Sequence, residues 1–283
     1  NRAAAQNKAL ENERREPHEN FGTNPCSEII LRPKQFCNLS EVVVRAEDTP
    51  ETLQRKIELA TILGTIQSCF TDLKGLGRQW TKNTEEERLL GVSLTGIMDC
   101  KLLHSSPQRL AYSATVPYLE DNLKYLRNVA VTTNKKWAEK LGIPQATAIT
   151  CVKPSGTVSQ LVDSASGIHA RHSEFYIRTV RGDNKDPMTA FLKDMGIPNE
   201  PQRNGNVESK DVSVFSFPVK TYAKSVYRND LSAIQQLEIW KTYAEHWCEH
   251  KPSITVTVRE NEWLEVGAWV YKHFEYKPKL FSP

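Results

Sequence analysis

The sequence predicts an α/β fold with a largely parallel sheet. Short segments rich in β-branched and apolar residues alternate along the chain with longer segments of helical periodicity. This alternation is typical of strands that lie parallel and are joined by helices. At 283 residues the chain is long enough to bury a sizeable core, and it shows no internal repeat.

Strands are predicted where short apolar or alternating runs occur. The first of them carries a β-branched run at Val42, Val43 and Val44, and the last alternates as Ile254, Val256 and Val258. The predicted strands are residues 39–44, 89–95, 148–152, 211–218 and 253–258.

Helices are predicted where apolar residues recur every three to four positions. The longest such run ends at Gly142, with Pro144 just beyond, which is typical of a helix C-terminus. Thr84, followed by three glutamates, is interpreted as a helix N-cap. The predicted helices are residues 1–15, 50–70, 110–141, 231–250 and 260–274, with a further start at Thr84.

Charge and composition exclude several classes. The formal charge is +3, with 25% charged residues, which does not indicate a protein that coats nucleic acid. No apolar run reaches the ~20 residues of a membrane span, and the first residues show no signal-peptide pattern. The six cysteines are not spaced as a disulfide scaffold, so we expect a reducing, cytoplasmic location.

The segment Asn24-Pro25-Cys26-Ser27-Glu28 combines a thiol with a carboxylate. In an extended segment, Asn24, Cys26 and Glu28 point to the same side, whereas Pro25 points away and stiffens the loop. The thiol and the carboxylate can then contact the same small molecule, with the Asn24 amide beside them.

A second motif follows the predicted strand at residues 148–152. Lys153-Pro154-Ser155-Gly156-Thr157-Val158-Ser159 reads as a small-residue turn that opens a helix. Unpaired backbone N–H groups at a helix start, together with Ser and Thr hydroxyls, suit an anion, although such a turn by itself is more often only structural.

Taken together, the motifs resemble ribonucleotide reductases, most closely the class II, adenosylcobalamin-dependent enzymes. The short spacing between Cys26 and Cys37 favours that class. The resemblance covers about residues 17–274 and is carried by FGTNPCSEIILRP (21–33), FCNLSEVVVR (36–45), KPSGTVSQ (153–160), SGIH (166–169), YIR (176–178) and HWCEHKPS (246–253).

The resemblance implies a fold and a set of roles. The fold is part of a ten-stranded α/β barrel with a central finger loop, here about residues 20–40, and a phosphate turn at about 153–160. Cys26 would carry a thiyl radical generated by adenosylcobalamin, Glu28 would act as general base, Asn24 would hold a ribose oxygen, and Cys37 would be one of two reducing thiols. The substrate phosphates would lie against Pro154, Ser155, Gly156, Thr157 and Ser159, and no metal site is implied.

The resemblance also implies partners. The substrate would be a ribonucleoside di- or triphosphate, and a thioredoxin-like protein would reopen the disulfide. The second reducing thiol comes, in this family, from the N-terminal half, so residues 1–283 are interpreted as the C-terminal part of the catalytic barrel. We expect the isolated chain to be inactive without that half, and we expect no nucleic-acid or membrane partner.

Three alternatives remain open on sequence grounds. One is a fragment of a class I large subunit, although the isolated Tyr271 and Tyr276 do not form that family's tyrosine pair. A thiol-dependent hydrolase would need a base aligned with Cys26. A nucleotide-binding module without catalysis is a third. A zinc site at His246, Cys248 and His250 is disfavoured, because i, i+2 and i+4 do not share a helix face.

Overall fold

The structure is a computed structural model that describes residues 2–16, 18–104, 117–221 and 225–273. Within these residues, no helix has the length and apolar character required to cross a bilayer. The α-helices are α1 (Arg2–Leu10), α2 (Pro50–Gln67), α3 (Arg78–Glu87), α4 (Pro117–Leu141), α5 (Thr157–Leu161), α6 (Pro187–Asp194), α7 (Ala233–His246) and α8 (Trp263–Lys272). The strands are β1 (Gly22–Thr23), β2 (Ile30–Leu31), β3 (Asn38–Val43), β4 (Leu90–Thr95), β5 (Phe175–Asp183), β6 (Asn199–Asn204) and β7 (Val207–Lys220).

A row of parallel segments forms the centre of the molecule. β3 pairs in parallel with β4 from Asn38↔Leu90 to Val43↔Thr95. Residues 148–152 continue the row through a parallel bridge from Val92 to Thr150, and a further parallel bridge joins Val152 to Pro252. Every residue of β4 is buried, as expected for a central parallel strand.

The main core lies between this row and the helices that cover it. Buried residues of β4 belong to one apolar cluster with residues of α2, α4 and α7, and the largest fully buried side chains include Trp240, Tyr243 and Trp247 of the α7 region. α2 begins with a capping box, in which the Thr49 and Thr52 side chains each bond the other's backbone N–H. Helix α2 is therefore positioned both by its cap and by the burial of Leu53 and Ile57.

A second, antiparallel sheet lies outside the central row. Its strand order is β5-β7-β6, and most of its residues are exposed. The strand predicted at residues 211–218 falls inside β7, whereas the sequence patterns did not predict β5 or β6. The hairpin between β6 and β7 turns at Gly205, which has φ 64, and Asn204-Gly205 is a dipeptide that favours such a turn.

Two predicted elements are wrong. Thr84 is not an N-cap, because α3 begins at Arg78 and Thr84 lies in its last turns. Residues 253–258 do not form a strand beyond the bridge at Pro252. Side chains take the backbone N–H groups that a neighbouring strand would use, since His169 accepts from Thr255 N and Gln236 accepts from Thr257 N.

The other predicted elements are close to the observed ones. Predicted helices 1–15, 50–70, 231–250 and 260–274 correspond to α1, α2, α7 and α8, each with shorter bounds. Predicted helix 110–141 corresponds to α4 from residue 117 onward, and its first residues lie outside the described part of the chain.

Candidate active site

The segment that carries Cys26 is a hairpin loop. β1 and β2 pair antiparallel, and between them Ser27 N donates to Asn24 O at 2.9 Å. Ser27 also has a positive φ of 62, so the chain turns back at this point. The expected extended segment is therefore wrong, and Cys26 lies exposed near the tip of a turn.

Glu28 lies on the inner side of this hairpin and is fully buried, with 0% of its surface exposed. Its Oε1 accepts from Asn24 Nδ2 at 2.7 Å and from Lys153 Nζ. Its Oε2 is buried and has no hydrogen-bond partner among the described residues. Because a buried carboxylate oxygen normally accepts a hydrogen bond, Oε2 is placed to receive one from a bound hydroxyl group.

Asn24 closes the loop from the other side. Its Oδ1 accepts from Ile29 N at 3.0 Å, while its Nδ2 donates to Glu28. An amide NH₂ group has two hydrogens, so one donor remains after the bond to Glu28. Asn24 and Glu28 are therefore brought together as predicted, although by a turn and not by strand alternation.

Cys37 lies just before β3, with its residue half-buried and its sulfur against β4. A methyl group built on Gly91 would approach Cys37 Sγ to 3.2 Å, so the missing side chain at Gly91 makes room for the thiol. Burial raises the pKa of Cys37 to about 12, although the charges of Arg15 and Lys153 lower it. Cys37 is accordingly a neutral thiol at physiological pH.

Lys153 contacts Glu28 and lies close to Cys26 and Cys37, although the sequence patterns predicted no separate role for it. Burial lowers the pKa of Lys153, but the hydrogen bond and the charge of Glu28 outweigh that effect, and Cys26 also raises it. Lys153 N donates to Ser93 Oγ at 2.9 Å, which fixes the backbone from which the side chain extends. A signal was present, because a lysine that directly follows a buried strand lies at the strand's carboxyl end, where sites form in parallel sheets.

His250 anchors the hairpin to the central strands. Its Nδ1 accepts from Ile30 N at 3.3 Å, and its Nε2 donates to Leu90 O at 2.9 Å. Next to it, Lys251 N donates to Glu28 O at 2.9 Å. Burial, with the nearby charge of Arg15, lowers the pKa of His250 to about 3, so the ring is neutral. In this way β2 and Glu28 are held by groups that follow α7.

A buried ion pair supports the base of the hairpin. Arg15 Nε and Nη2 donate to the two carboxylate oxygens of Glu87, each at 2.8 Å, and both side chains are 1% exposed. Arg15 Nη2 also donates to Ile30 O at 2.9 Å, and Gln35 Nε2 donates to Glu87 Oε2 at 2.6 Å. Glu87 ends α3, so this cluster ties the hairpin to that helix.

The three residues considered as zinc ligands have separate surroundings. His246 lies 3.4 Å from Glu120, Cys248 is fully buried with its pKa raised by burial, and His250 uses both ring nitrogens as described above. In the described ranges, no group of three or more His, Cys, Asp or Glu residues could hold a metal ion. The cluster is therefore not brought together around a common centre.

Comparison with known proteins identifies relatives of this chain. An adenosylcobalamin-dependent ribonucleoside-triphosphate reductase from Lactobacillus acidophilus is 27% identical over 277 residues, which is 89% of this chain and 36% of the relative. The protein of the same name from Lactobacillus leichmannii is 24% identical over 267 residues, covering 85% of this chain and 34% of the relative. No protein-family model matches the chain. The chain thus spans about a third of the length of the curated relatives that it matches.

Among solved structures, the crystal structure of a B-12 dependent (class II) ribonucleotide reductase matches with a TM-score of 0.71. The match has 22% sequence identity and covers 89% of this chain and 37% of that chain. The chain is similar in sequence to adenosylcobalamin-dependent ribonucleoside-triphosphate reductases. The predicted fold class, α/β and part of the reductase barrel, is confirmed by the same structural match.

The predicted phosphate turn divides into exposed and internal groups. Gly156 and Thr157 are exposed, and a methyl group built on Gly156 would meet nothing within 4 Å. Ser155 Oγ donates to Glu41 at 2.8 Å, and the fully buried Ser159 donates to Gly156 O at 2.8 Å. The two serine hydroxyls thus hold the turn itself, and Gly156 and Thr157 form its accessible face.

Pro154 completes the turn. Its O accepts from Gly156 N at 3.1 Å, which tightens the chain between Lys153 and α5. Lys153 contacts Glu28 of the hairpin and directly precedes Pro154, so the turn begins next to the residue that contacts the hairpin. Lys153 and Glu28 are more than a hundred residues apart in sequence, so the sequence patterns did not predict this contact.

Proposed function

We propose that this chain carries the reaction centre of a ribonucleotide reductase, which replaces the 2′-hydroxyl of a ribonucleotide by hydrogen. The observation that supports this most strongly is the hairpin that exposes Cys26 while it buries Glu28 with Oε2 unpartnered. A thiol open to a radical source and a buried base are the two groups that the first steps of this reaction need. The names of the relatives support the same chemistry.

The first step requires a radical on Cys26. When bound, adenosylcobalamin supplies a carbon-centred radical that can take a hydrogen atom from a thiol. The exposed Cys26 sulfur fits such a group, because a reagent outside the hairpin can reach it. The resulting Cys26 thiyl then takes the hydrogen atom from C3′ of the substrate and forms an S–H bond.

Glu28 assists by proton transfer. Its Oε2 accepts the proton of the 3′-hydroxyl, which favours loss of the 2′-hydroxyl as water. Asn24, whose amide keeps one donor beyond its bond to Glu28, holds a ribose oxygen beside it. The hydrogen bonds from Lys153 and Asn24 to Oε1 leave Oε2 as the oxygen that faces the substrate.

Reduction consumes two thiols. Cys37 supplies one, and the second comes from a complementary N-terminal half. Together they give two electrons and two hydrogens and become a disulfide, while Cys26 returns its hydrogen to C3′. A thioredoxin-like dithiol then reduces that disulfide by thiol–disulfide exchange. The overall change is ribonucleotide plus dithiol to deoxyribonucleotide plus water plus disulfide.

The substrate phosphates bind at the turn formed by Pro154, Ser155, Gly156, Thr157 and Ser159. The exposed backbone at Gly156 allows a close approach, and the Thr157 hydroxyl adds a donor. Lys153 contacts Glu28 and directly precedes this turn in sequence, which supports a substrate with its ribose at Glu28 and its phosphates at the turn. We further propose a cytoplasmic location, where thiols stay reduced.

The test is ribonucleotide reduction with adenosylcobalamin and a dithiol, using the chain alone and mixed with a separately expressed N-terminal half of a relative. We expect deoxyribonucleotide only in the mixture. The Cys26→Ala variant should abolish product while it retains nucleotide binding.

The matched control is Cys69→Ala, which removes another exposed thiol outside the hairpin and should leave the rate unchanged. A folded mixture that binds adenosylcobalamin and nucleotide but forms no deoxyribonucleotide would refute the proposal. Equal activity of the wild type and Cys26→Ala would refute the role of Cys26.

A further inference from the structure

Ser155 of the predicted phosphate turn is held at both its hydroxyl group and its carbonyl group. Its Oγ donates to Glu41 Oε2 at 2.8 Å, and its O accepts from Ser166 Oγ at 2.8 Å. The residue is only 5% exposed. Because a serine hydroxyl group has a single hydrogen, Oγ cannot donate to a ligand while it donates to Glu41. The hydroxyl group of Ser155 therefore fixes the turn and leaves contact with a ligand to other groups.

The groups that hold the start of the turn come from the central strands. Glu41 of β3 is the register partner of Ser93 of β4, so the two side chains lie next to each other on one face of the sheet. Ser93 Oγ accepts from Lys153 N at 2.9 Å, while Glu41 accepts from Ser155 Oγ. Adjacent side chains of two paired strands thus hold two residues that are separated only by Pro154. The central strands therefore set the conformation at which the turn begins.

A further contact holds the turn from another segment of the chain. Gly167 has a φ of 53, and a methyl group built on it would approach Lys153 O to 2.6 Å. Only glycine therefore allows the segment that carries Ser166 to lie this close to the turn. Ser166 Oγ reaches Ser155 O from this segment. Ser155 is thus held between two segments, and Glu41 supplies the contact from β3.

Charge alone does not explain a carboxylate at this place. The negative charge of Glu41 repels a bound phosphate, which is unfavourable for the binding that we propose at this turn. A carboxylate nevertheless accepts a stronger hydrogen bond from a hydroxyl group than a neutral oxygen does. The contact between Glu41 and Ser155 therefore points to a role in the shape of the turn, whose accessible face is formed by Gly156 and Thr157.

We propose that Glu41 is a positioning residue for the substrate phosphates. It holds Ser155 so that Gly156 and Thr157 keep the conformation that receives the phosphates, and it does not contact the substrate itself. This inference rests on the phosphate role proposed for the turn. It assigns to the Ser155 hydroxyl group a role in the shape of the turn, in place of a direct bond to phosphate.

The experiment measures Kd and KM for CTP, together with kcat, in the mixture of the chain with the complementary N-terminal half. Glu41→Met keeps the length of the side chain but removes the acceptor. We expect Kd and KM to rise about tenfold with kcat unchanged, because phosphate binding is impaired and the reacting groups are not. Glu41→Gln keeps an acceptor for Ser155 Oγ without the charge, so its Kd and KM should be equal to or below the wild-type values. Values in Glu41→Gln that rise as much as in Glu41→Met would overturn the proposal.

A double-mutant cycle separates this hydrogen bond from a direct contact of Ser155 with phosphate. Ser155→Ala should raise Kd about as much as Glu41→Met, and it serves as the test if the methionine variant does not fold. The double variant should bind no more weakly than either single variant, because both substitutions remove the same contact. Effects that multiply would show that the two residues act independently and would overturn the proposal. Thr71→Val is the matched control, since it removes another 2.8 Å bond from a hydroxyl group to a carboxylate, that of Glu85, and should leave Kd unchanged.

A measurement without substrate separates this proposal from the proposed function. In the chain alone, amide hydrogen exchange at Gly156, whose N donates to Pro154 O, should be faster in Glu41→Met and Ser155→Ala and unchanged in Glu41→Gln. A chain with this response that binds no CTP, even with its complementary half, retains Glu41 as a determinant of the turn and loses the phosphate assignment. A mixture that binds CTP with the same Kd in the wild type and in the folded Glu41→Met and Ser155→Ala variants loses only the role of Glu41.

Discussion

Replacement of His250 by phenylalanine tests how the hairpin of β1 and β2 is held against the central strands. The ring volume is largely kept, but two hydrogen bonds are lost, from Ile30 N to Nδ1 and from Nε2 to Leu90 O. Ile30, Leu90 and His250 are all 0% exposed, so water cannot replace the imidazole at either group. The variant therefore leaves one buried donor and one buried acceptor without partners.

Each buried polar group left without a partner costs about 1–3 kcal/mol, so the free energy of unfolding should fall by about 2–6 kcal/mol at pH 7. The loss should depend on pH. The pKa of His250 is lowered from 6.5 to about 3, so the folded state requires the neutral ring. The contribution of the neutral His250 ring to the free energy of unfolding is complete above pH 6.5 and decreases by about 1.4 kcal/mol per pH unit as the pH falls towards 3.

Phenylalanine has no such titration, so the difference between wild type and variant should narrow by about 2 kcal/mol between pH 7 and pH 5. The assay is urea unfolding at both pH values, with amide hydrogen exchange at Ile30 as the local measurement. His246→Phe is the matched control. His246 lies at the end of α7 and contacts Glu120 at 3.4 Å, a partly exposed pair, so its loss should cost less than about 1 kcal/mol.

The reasoning is refuted if His250→Phe and His246→Phe shift the urea midpoint equally, or if the difference at pH 7 persists unchanged at pH 5. We expect faster amide hydrogen exchange at Ile30 in His250→Phe and unchanged exchange there in His246→Phe. That result would place the effect at the hairpin and not in α7.

Two further predictions concern the thiols and the room around them. Gly91→Ala should lower the free energy of unfolding by about 1–3 kcal/mol in urea titrations, because its methyl group would clash with Leu39 Cδ2 and approach Cys37 Sγ to 3.2 Å. Gly267→Ala lies inside α8 and its methyl group would meet nothing within 4 Å, so this variant should raise the free energy of unfolding by up to about 1 kcal/mol. Iodoacetamide at pH 8, followed by mass spectrometry, should label the exposed Cys26 and spare Cys37, whose pKa is about 12. Equal labelling of both thiols would contradict the burial assigned to Cys37.

Local patterns in the chain predicted a large part of this structure. Helical periodicity located α2 and α7, and a β-branched run located β3, because each pattern reports burial of one face by a regular element. The same kind of reasoning failed at Thr84. Its glutamates, which suit a helix start, lie at the end of α3, where Arg15 and Arg32 pair with them from outside the helix.

The sequence by itself identified the chemical groups of the candidate site, since Cys26, Glu28 and Cys37 are recognisable by type and spacing. Only the tertiary structure decided how they are used. The turn at Ser27 separates an exposed thiol from a buried carboxylate, and Lys153 and His250 reach the hairpin from segments more than a hundred residues away. The reason is physical: spacing along the chain reports local geometry, whereas charge pairing and burial depend on which strands become neighbours.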